Sequence, residues 1–91
     1  MRLRVLIRLK PGILDVQGAA VQRALGGLGF SDLRELRVGK LIEVEIDTPS
    51  ETQARQRVDE MCRKLLANTI LEDYTIEPSE AERLAPRQAV R

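Results

Sequence analysis

The run Arg2-Leu3-Arg4-Val5-Leu6-Ile7-Arg8-Leu9-Lys10 alternates with a period of two. In an extended strand that period puts Leu3, Val5, Ile7 and Leu9 on one face and mostly cations on the other. The chain therefore opens with a half-buried strand, which obliges whatever follows to supply neighbours for its edges and a cover for its apolar face. Pro11-Gly12 interrupts the pattern, and Asp15 can cap a helix carrying Ala19, Ala20, Val21, Ala24, Leu25 and Leu28 at three- and four-residue spacings. Gly26, Gly27 and Gly29 end it.

Two further apolar runs, Leu33 to Val38 and Leu41 to Asp47, flank Gly39-Lys40, and a glycine with positive φ in that pair predicts an antiparallel hairpin. After Thr48-Pro49 the spacing Ser50-x-x-Gln53 is a helix-capping signal ahead of Ala54, Val58, Met61, Cys62, Leu65 and Leu66. Asn68 is expected to end that helix in a left-handed conformation, and Ile70 to Glu77 reads as the last strand. The order β-α-β-β-α-β predicts an α+β, ferredoxin-like domain over residues 1–77: a four-stranded antiparallel sheet with both helices on one face. Residues 78–91 are polar and read as a tail in which Ser79-x-x-Glu82 starts at most a frayed helical turn.

Which chemistry this domain can hold is narrowed by what it lacks. With 91 residues, no histidine and one cysteine, it has neither the usual general base nor the makings of a zinc site or an internal disulfide. Cys62, in an apolar helical stripe, reads as core, and Glu43 and Glu45 on one strand face, with Glu72 and Asp73 at the start of the last strand, as solvated surface carboxylates. A net charge of +1 from 15 Lys+Arg and 14 Asp+Glu gives no overall attraction to nucleic acid or anionic lipid. Arg2, Arg4, Arg8 and Lys10 make the first strand basic, as in an RNA-reading sheet, but such sheets stack bases on aromatic rings. The aromatic residues are only Phe30, in a loop, and Tyr74, so no nucleic-acid partner is expected. No run is long and apolar enough for a membrane span or secretory signal, and a cytoplasmic location without membrane attachment is expected.

With a two-residue turn at Gly39-Lys40, Arg34 lies opposite Glu45, and the hairpin turns Leu33, Ile42, Val44 and Ile46 toward the helices. It then leaves Leu36, Val38 and Leu41, with Leu6, on the other side. One helical layer cannot cover both faces, so these four residues predict self-association, sheet to sheet, as a homodimer or tetramer. The loop from Lys10 to Gly18 pairs glycines with a helix start, a combination that suits anions, yet it matches no nucleotide-binding fingerprint. It resembles the sensing turn of small ACT-type regulatory modules, which makes a small-molecule-sensing domain the alternative reading.

Three segments then become specific: Leu9-Lys10-Pro11-Gly12-Ile13-Leu14-Asp15-Val16-Gln17-Gly18, Val38-Gly39-Lys40, and Met61 through Tyr74. Together they resemble the PurS family, the small subunit of phosphoribosylformylglycinamidine (FGAM) synthase, over about Met1 to Glu77. The family commonly has proline where this chain has Val16 and Thr69; both departures fall near the start of an element, where proline only pre-sets φ and removes one N–H. The resemblance implies a non-catalytic role in purine biosynthesis, joining a PurL synthetase subunit to a PurQ glutaminase and supporting transfer of glutamine-derived ammonia. It implies that ATP, Mg and glutamine are used by the partner subunits and that this chain binds no cofactor. It points to Lys10, Gly12, Asp15, Gln17, Gly18, Arg37, Gly39 and Lys40 as partner-binding residues, with Asp73 and Tyr74 as further candidates. Leu6, Leu36, Val38 and Leu41 are assigned to self-association on the sheet argument alone.

Overall fold

Strand β1 (Arg2–Leu9) occupies the centre of an antiparallel sheet, between β2 (Lys40–Glu45) and β3 (Glu72–Pro78). The structure, a computed structural model, describes residues 1–84. Its register sets Leu3 opposite Val44, Val5 between Ile42 and Ile76, and Ile7 opposite Tyr74. All the period-two apolar positions thus share one face. Leu3, Val5 and Ile7 are buried there against Ala54, Val58 and Cys62. Each large aliphatic group so buried contributes about 1.5–3 kcal/mol of transfer free energy.

The cover is helix α2 (Glu51–Met61), capped as the sequence predicts: Ser50 Oγ accepts from Gln53 N at 3.2 Å. From Cys62 to Leu66 the helix widens into a π turn closed by Ala67 N donating to Cys62 O at 3.0 Å. The wider turn takes the following residues out of step with the 3.6-residue stripe. Leu65 consequently stands 83% exposed, and Leu66 and Ala67 pack inward in its place. No non-glycine residue described here has positive φ, so Asn68 is not a left-handed cap. Its side chain instead accepts from Ile70 N at 3.1 Å and its carbonyl from Leu71 N and Glu72 N, turning the chain into β3.

Helix α1 (Val16–Gly27) forms where expected but not in the expected place. Only Gly18 in it is buried, and it does not join α2 as a layer on the sheet. The hairpin is also absent: residues 33–38 carry no ladder, and Gly39 does not have the positive φ of a tight turn. The described sheet therefore has three strands, in an α+β fold, and the chain passes through Gly39 instead of reversing. Residues 10–39 form an arm, α1 backed by the 33–38 segment, that stands apart from the sheet beyond the end of β1. The Cα radius of gyration is 17.0 Å, against about 12 Å for a compact chain of this length.

The face of the sheet away from α2 is more polar than the hairpin pattern implies. Arg2 pairs with Glu45 at 2.9 Å, taking the acid expected for Arg34, and Arg4 pairs with Glu77. Leu6 and Leu41, opposite one another, are its apolar part. The residues after Pro78 begin with a short helix α3 (Glu80–Leu84) docked on β1: Ser79 N donates to Arg2 O, and Arg2 N donates to the Glu82 carboxylate at 2.9 Å. Ser79 is 1% exposed and its hydroxyl accepts from Glu82 N. The rest of the expected tail, 85–91, lies outside the described residues.

Candidate partner-binding site

At the root of the arm, the chain leaving β1 and the chain approaching β2 run side by side. Lys10 N is held by Leu71 O at 2.8 Å, and Lys10 O accepts from Ile13 N at 3.1 Å, which bends the chain sharply. Gly12 takes φ +89°, in the left-handed region. Asp15 then joins the two halves. One carboxylate oxygen caps α1 through Gly18 N at 2.9 Å, and the other accepts from Val38 N at 2.7 Å. Those two N–H bonds hold its pKa below the ordinary carboxylate range against the opposing effect of burial, with a lesser lowering from the Arg37 charge.

The glycines at this junction are required by space. A Cβ on Gly18 would lie 2.2 Å from the Asp15 carboxylate and 2.9 Å from Leu36 O. A Cβ on Gly39 would lie 2.5 Å from Ile7 O. Gly39 thus serves close passage along β1 and not the turn that its sequence context suggests. Arg37 reaches the carbonyls of Leu9 and Lys10 at 3.3 and 3.4 Å, and Gln22 Nε2 donates to Arg34 O at 3.1 Å.

Of the residues singled out from sequence, Lys10, Gly12, Asp15, Gly18, Arg37, Gly39 and Lys40 meet at this root, with Gln17 exposed on the first turn of α1. Lys40 Nζ lies 3.6 Å from Glu72, which brings the start of β3 alongside. Asp73 faces the polar side, opposite Arg8 in the register. Tyr74 is elsewhere. Its ring packs on the core, and its hydroxyl donates to Asp59 Oδ1 at 2.5 Å, while Arg63 holds the other Asp59 oxygen at 2.9 Å. The bond to Asp59 raises the tyrosine's pKa and lowers that of the aspartate. Leu6, Val38 and Leu41 line one shallow depression with Arg8 and Arg37, whereas Leu36 lies on the α1 side of the arm.

The sequence reading missed the Asp59–Tyr74 link, which joins residues 15 apart with no local pattern. It also undervalued Ser79-x-x-Glu82, although that spacing was visible. Beyond the root the arm is apolar and uncovered: Leu14, Val16, Leu28 and Phe30 are 75%, 68%, 74% and 55% exposed, and Val21 is exposed beside them. Among the described residues no three His, Cys, Asp or Glu side chains converge to hold a metal ion. Single exposed apolar side chains are ordinary, but five of them along one arm form a surface suited to being covered.

The family model described as PurS: Phosphoribosylformylglycinamidine (FGAM) synthase matches residues 2–80. The chain belongs to the PurS family. The PurS subunit of phosphoribosylformylglycinamidine synthase from Synechocystis is 42% identical over 79 residues, covering 87% of this chain and 79% of the relative. The crystal structure of Methanocaldococcus jannaschii PurS, described as one of the subunits of formylglycinamide ribonucleotide amidotransferase in the purine biosynthetic pathway, is similar at a TM-score of 0.75 and 38% identity. That alignment covers 87% of this chain and 98% of the other. A chain of the Thermotoga maritima PurLQS structure shares the fold at a TM-score of 0.77 and 24% identity, over 84% of this chain and 93% of the other. PurS subunits of FGAM synthase act in purine biosynthesis.

Proposed function

We propose that this PurS-family chain is the coupling subunit of a cytoplasmic FGAM synthase, joining a PurL-type synthetase to a PurQ-type glutaminase so that ammonia released from glutamine is delivered without loss. The observation that carries this reading is the arm: its root is locked by Asp15 and its apolar flank is left bare, in a family of enzyme subunits. A subunit of this kind contributes a coupling free energy between two active sites by favouring one relative placement of them. Lys10, Gly12, Asp15, Gln17, Gly18, Arg37, Gly39 and Lys40 set the shape of the contact, with Asp73 beside it; Tyr74 acts inside the domain, holding β3 to α2. ATP, Mg2+ and glutamine belong to the partner subunits. Self-association as a dimer or tetramer is part of the reading.

The test mixes the chain with matching synthetase and glutaminase subunits and compares glutamine-dependent with ammonia-dependent product formation. Glutamine-dependent turnover should require the chain, and turnover on free ammonia should not. Equal glutamine-dependent rates with and without the chain would refute coupling.

A further inference from the structure

Strand β1 turns Arg2, Arg4, Leu6 and Arg8 to the face of the sheet away from α2. Two of the three arginines are neutralised across the sheet, Arg2 by Glu45 and Arg4 by Glu77. Arg8 is not. Asp73 stands opposite it in the register, yet among the described residues the Arg8 side chain has no carboxylate partner and no hydrogen-bond acceptor. Arg8 instead borders the shallow depression that it shares with Leu6, Leu41, Val38 and Arg37, whose volume is about 440 Å3. No acidic residue lines that depression.

Gly39 keeps this space open, since a Cβ there would lie 3.5 Å from the Arg8 Cβ as well as 2.5 Å from Ile7 O. Arg37 is anchored from behind: Nη2 donates to the carbonyls of Leu9, Lys10 and Ile13 at 3.3, 3.4 and 3.5 Å. Its Nε and Nη1 have no acceptor among the described residues, and no carboxylate pairs with it there. A guanidinium held at one corner presents its other donors as a fixed fork, at a lower ordering cost than a free side chain. Leu6 and Leu41, opposite one another in the ladder and 39% and 55% exposed, form an apolar floor with Val38. We infer that the depression binds a phosphate monoester of about the size of a nucleoside monophosphate. Arg8 and Arg37 take the phosphate, and Leu6, Val38 and Leu41 take the body of the ligand. A carboxylate is satisfied by one bidentate guanidinium, whereas the three terminal oxygens of a phosphate accommodate two. Two arginines on one rim with no acid between them therefore select phosphate.

The size is also right, because small-molecule sites run from about 300 to about 1,000 Å3. Leu6, Arg8 and Leu41 belong to the sheet, whereas Arg37 and Val38 belong to the arm. A bound phosphate ester thus clamps the root of the arm to the sheet and makes the stiffness of that junction depend on ligand concentration. This proposal goes beyond the coupling role and stands apart from it, since its readout needs neither synthetase nor glutaminase.

The experiment titrates the isotope-labelled full chain separately with AMP, adenosine, inorganic phosphate and glutamate, each to about 10 mM, above the millimolar range of weak sites, and follows the backbone amide resonances. AMP should give saturable shifts at Leu6, Arg8, Gly39 and Leu41, and the other three compounds should bind about ten-fold more weakly or worse. Arg8→Gln should weaken AMP by about ten-fold or more, the effect of losing a charge-assisted hydrogen bond. Leu41→Glu should do the same by setting a carboxylate beside the phosphate, so the test does not depend on one variant folding. Arg2→Gln, on the same face but outside the depression, should stay within about two-fold of the natural chain. At AMP ten times its Kd, exchange of the Val38 amide should slow by about ten-fold. Absence of saturable AMP shifts overturns the proposal, as do shifts confined to other parts of the chain. So does adenosine, phosphate or glutamate binding as tightly as AMP, a folded Arg8→Gln chain that retains natural affinity, or Val38 exchange unchanged at saturation.

Discussion

The substitution Gly→Ala at two places in one helix should have opposite signs. In a helix, alanine is favoured over glycine by about 0.5–1 kcal/mol because it loses less backbone freedom on ordering. A Cβ on Gly26 would meet nothing within 4 Å, so Gly26→Ala should raise amide protection in α1 by about two- to five-fold in native-state hydrogen exchange. At Gly18 the same methyl arrives 2.2 Å from the Asp15 carboxylate and 2.9 Å from Leu36 O. The carboxylate is pinned by Gly18 N and Val38 N, and Leu36 O is backbone, so neither yields without breaking the lock. Overpacking of this kind costs about 1–3 kcal/mol, which exceeds the propensity gain. Gly18→Ala should therefore lower α1 protection by about two-fold or more and release the Val38 amide to exchange, while the amides of β1 keep theirs. If Gly18→Ala protects α1 as well as Gly26→Ala does, the close junction between α1 and the 33–38 segment is not what holds the arm.

Other consequences can be checked independently. Val58→Ala removes a fully buried side chain from helix α2, which covers the sheet; the lost transfer and the cavity together cost about 2–3 kcal/mol, a drop in Tm of about 10–20 °C by calorimetry. Tyr74 is the only tyrosine and there is no tryptophan, so an absorbance titration at alkaline pH reads it directly. Its ionisation should lie above the ordinary 10.0 and move down in Asp59→Asn; because the folded value is raised, the associated stability is present below that ordinary value and is lost as pH rises through the folded one. Asp15 behaves in the reverse sense: its folded pKa lies below 3.8, so its contribution is complete above that pH and is lost as pH falls through the lowered value. Acid should accordingly expose the Val38 amide in the natural chain, whereas in Asp15→Asn that amide should be exposed at neutral pH as well.

Local signals carried much of this fold. The alternation from Arg2 to Leu9, the Asp15 and Ser50 caps and the β-branched content before Glu77 each act within a few residues, and each element formed where its signal lay. The failures have a common physical origin in contacts that local pattern does not encode. Residues 33–38 have apolar residues that suit a strand, but whether a sheet edge is within reach is a question of three-dimensional access, and a glycine suited to a tight turn is equally suited to passing close to Ile7 O. Leu65 fits a 3.6-residue stripe until the π turn at Cys62 takes it out of phase. At the candidate site, the Lys10–Gly18 segment and Val38-Gly39-Lys40 were both legible as motifs. What joins them, an Asp15 carboxylate shared between a helix cap and a distant main-chain N–H, was not.

Helix α2 does more at the far border of the sheet than cover the core. Arg55 donates to the main-chain oxygen of Ile76 at 2.7 Å while Glu51 steadies its guanidinium at 2.8 Å. A main-chain acceptor on the outermost strand is thereby engaged by a cation. That makes this margin a poor template for another β-strand, a common means by which natural sheets avoid edge-to-edge aggregation. Growth of the sheet is left to the opposite margin, so a chain of this design should ripen into small finite particles and resist polymerising into ribbons, even where a biosynthetic enzyme is abundant.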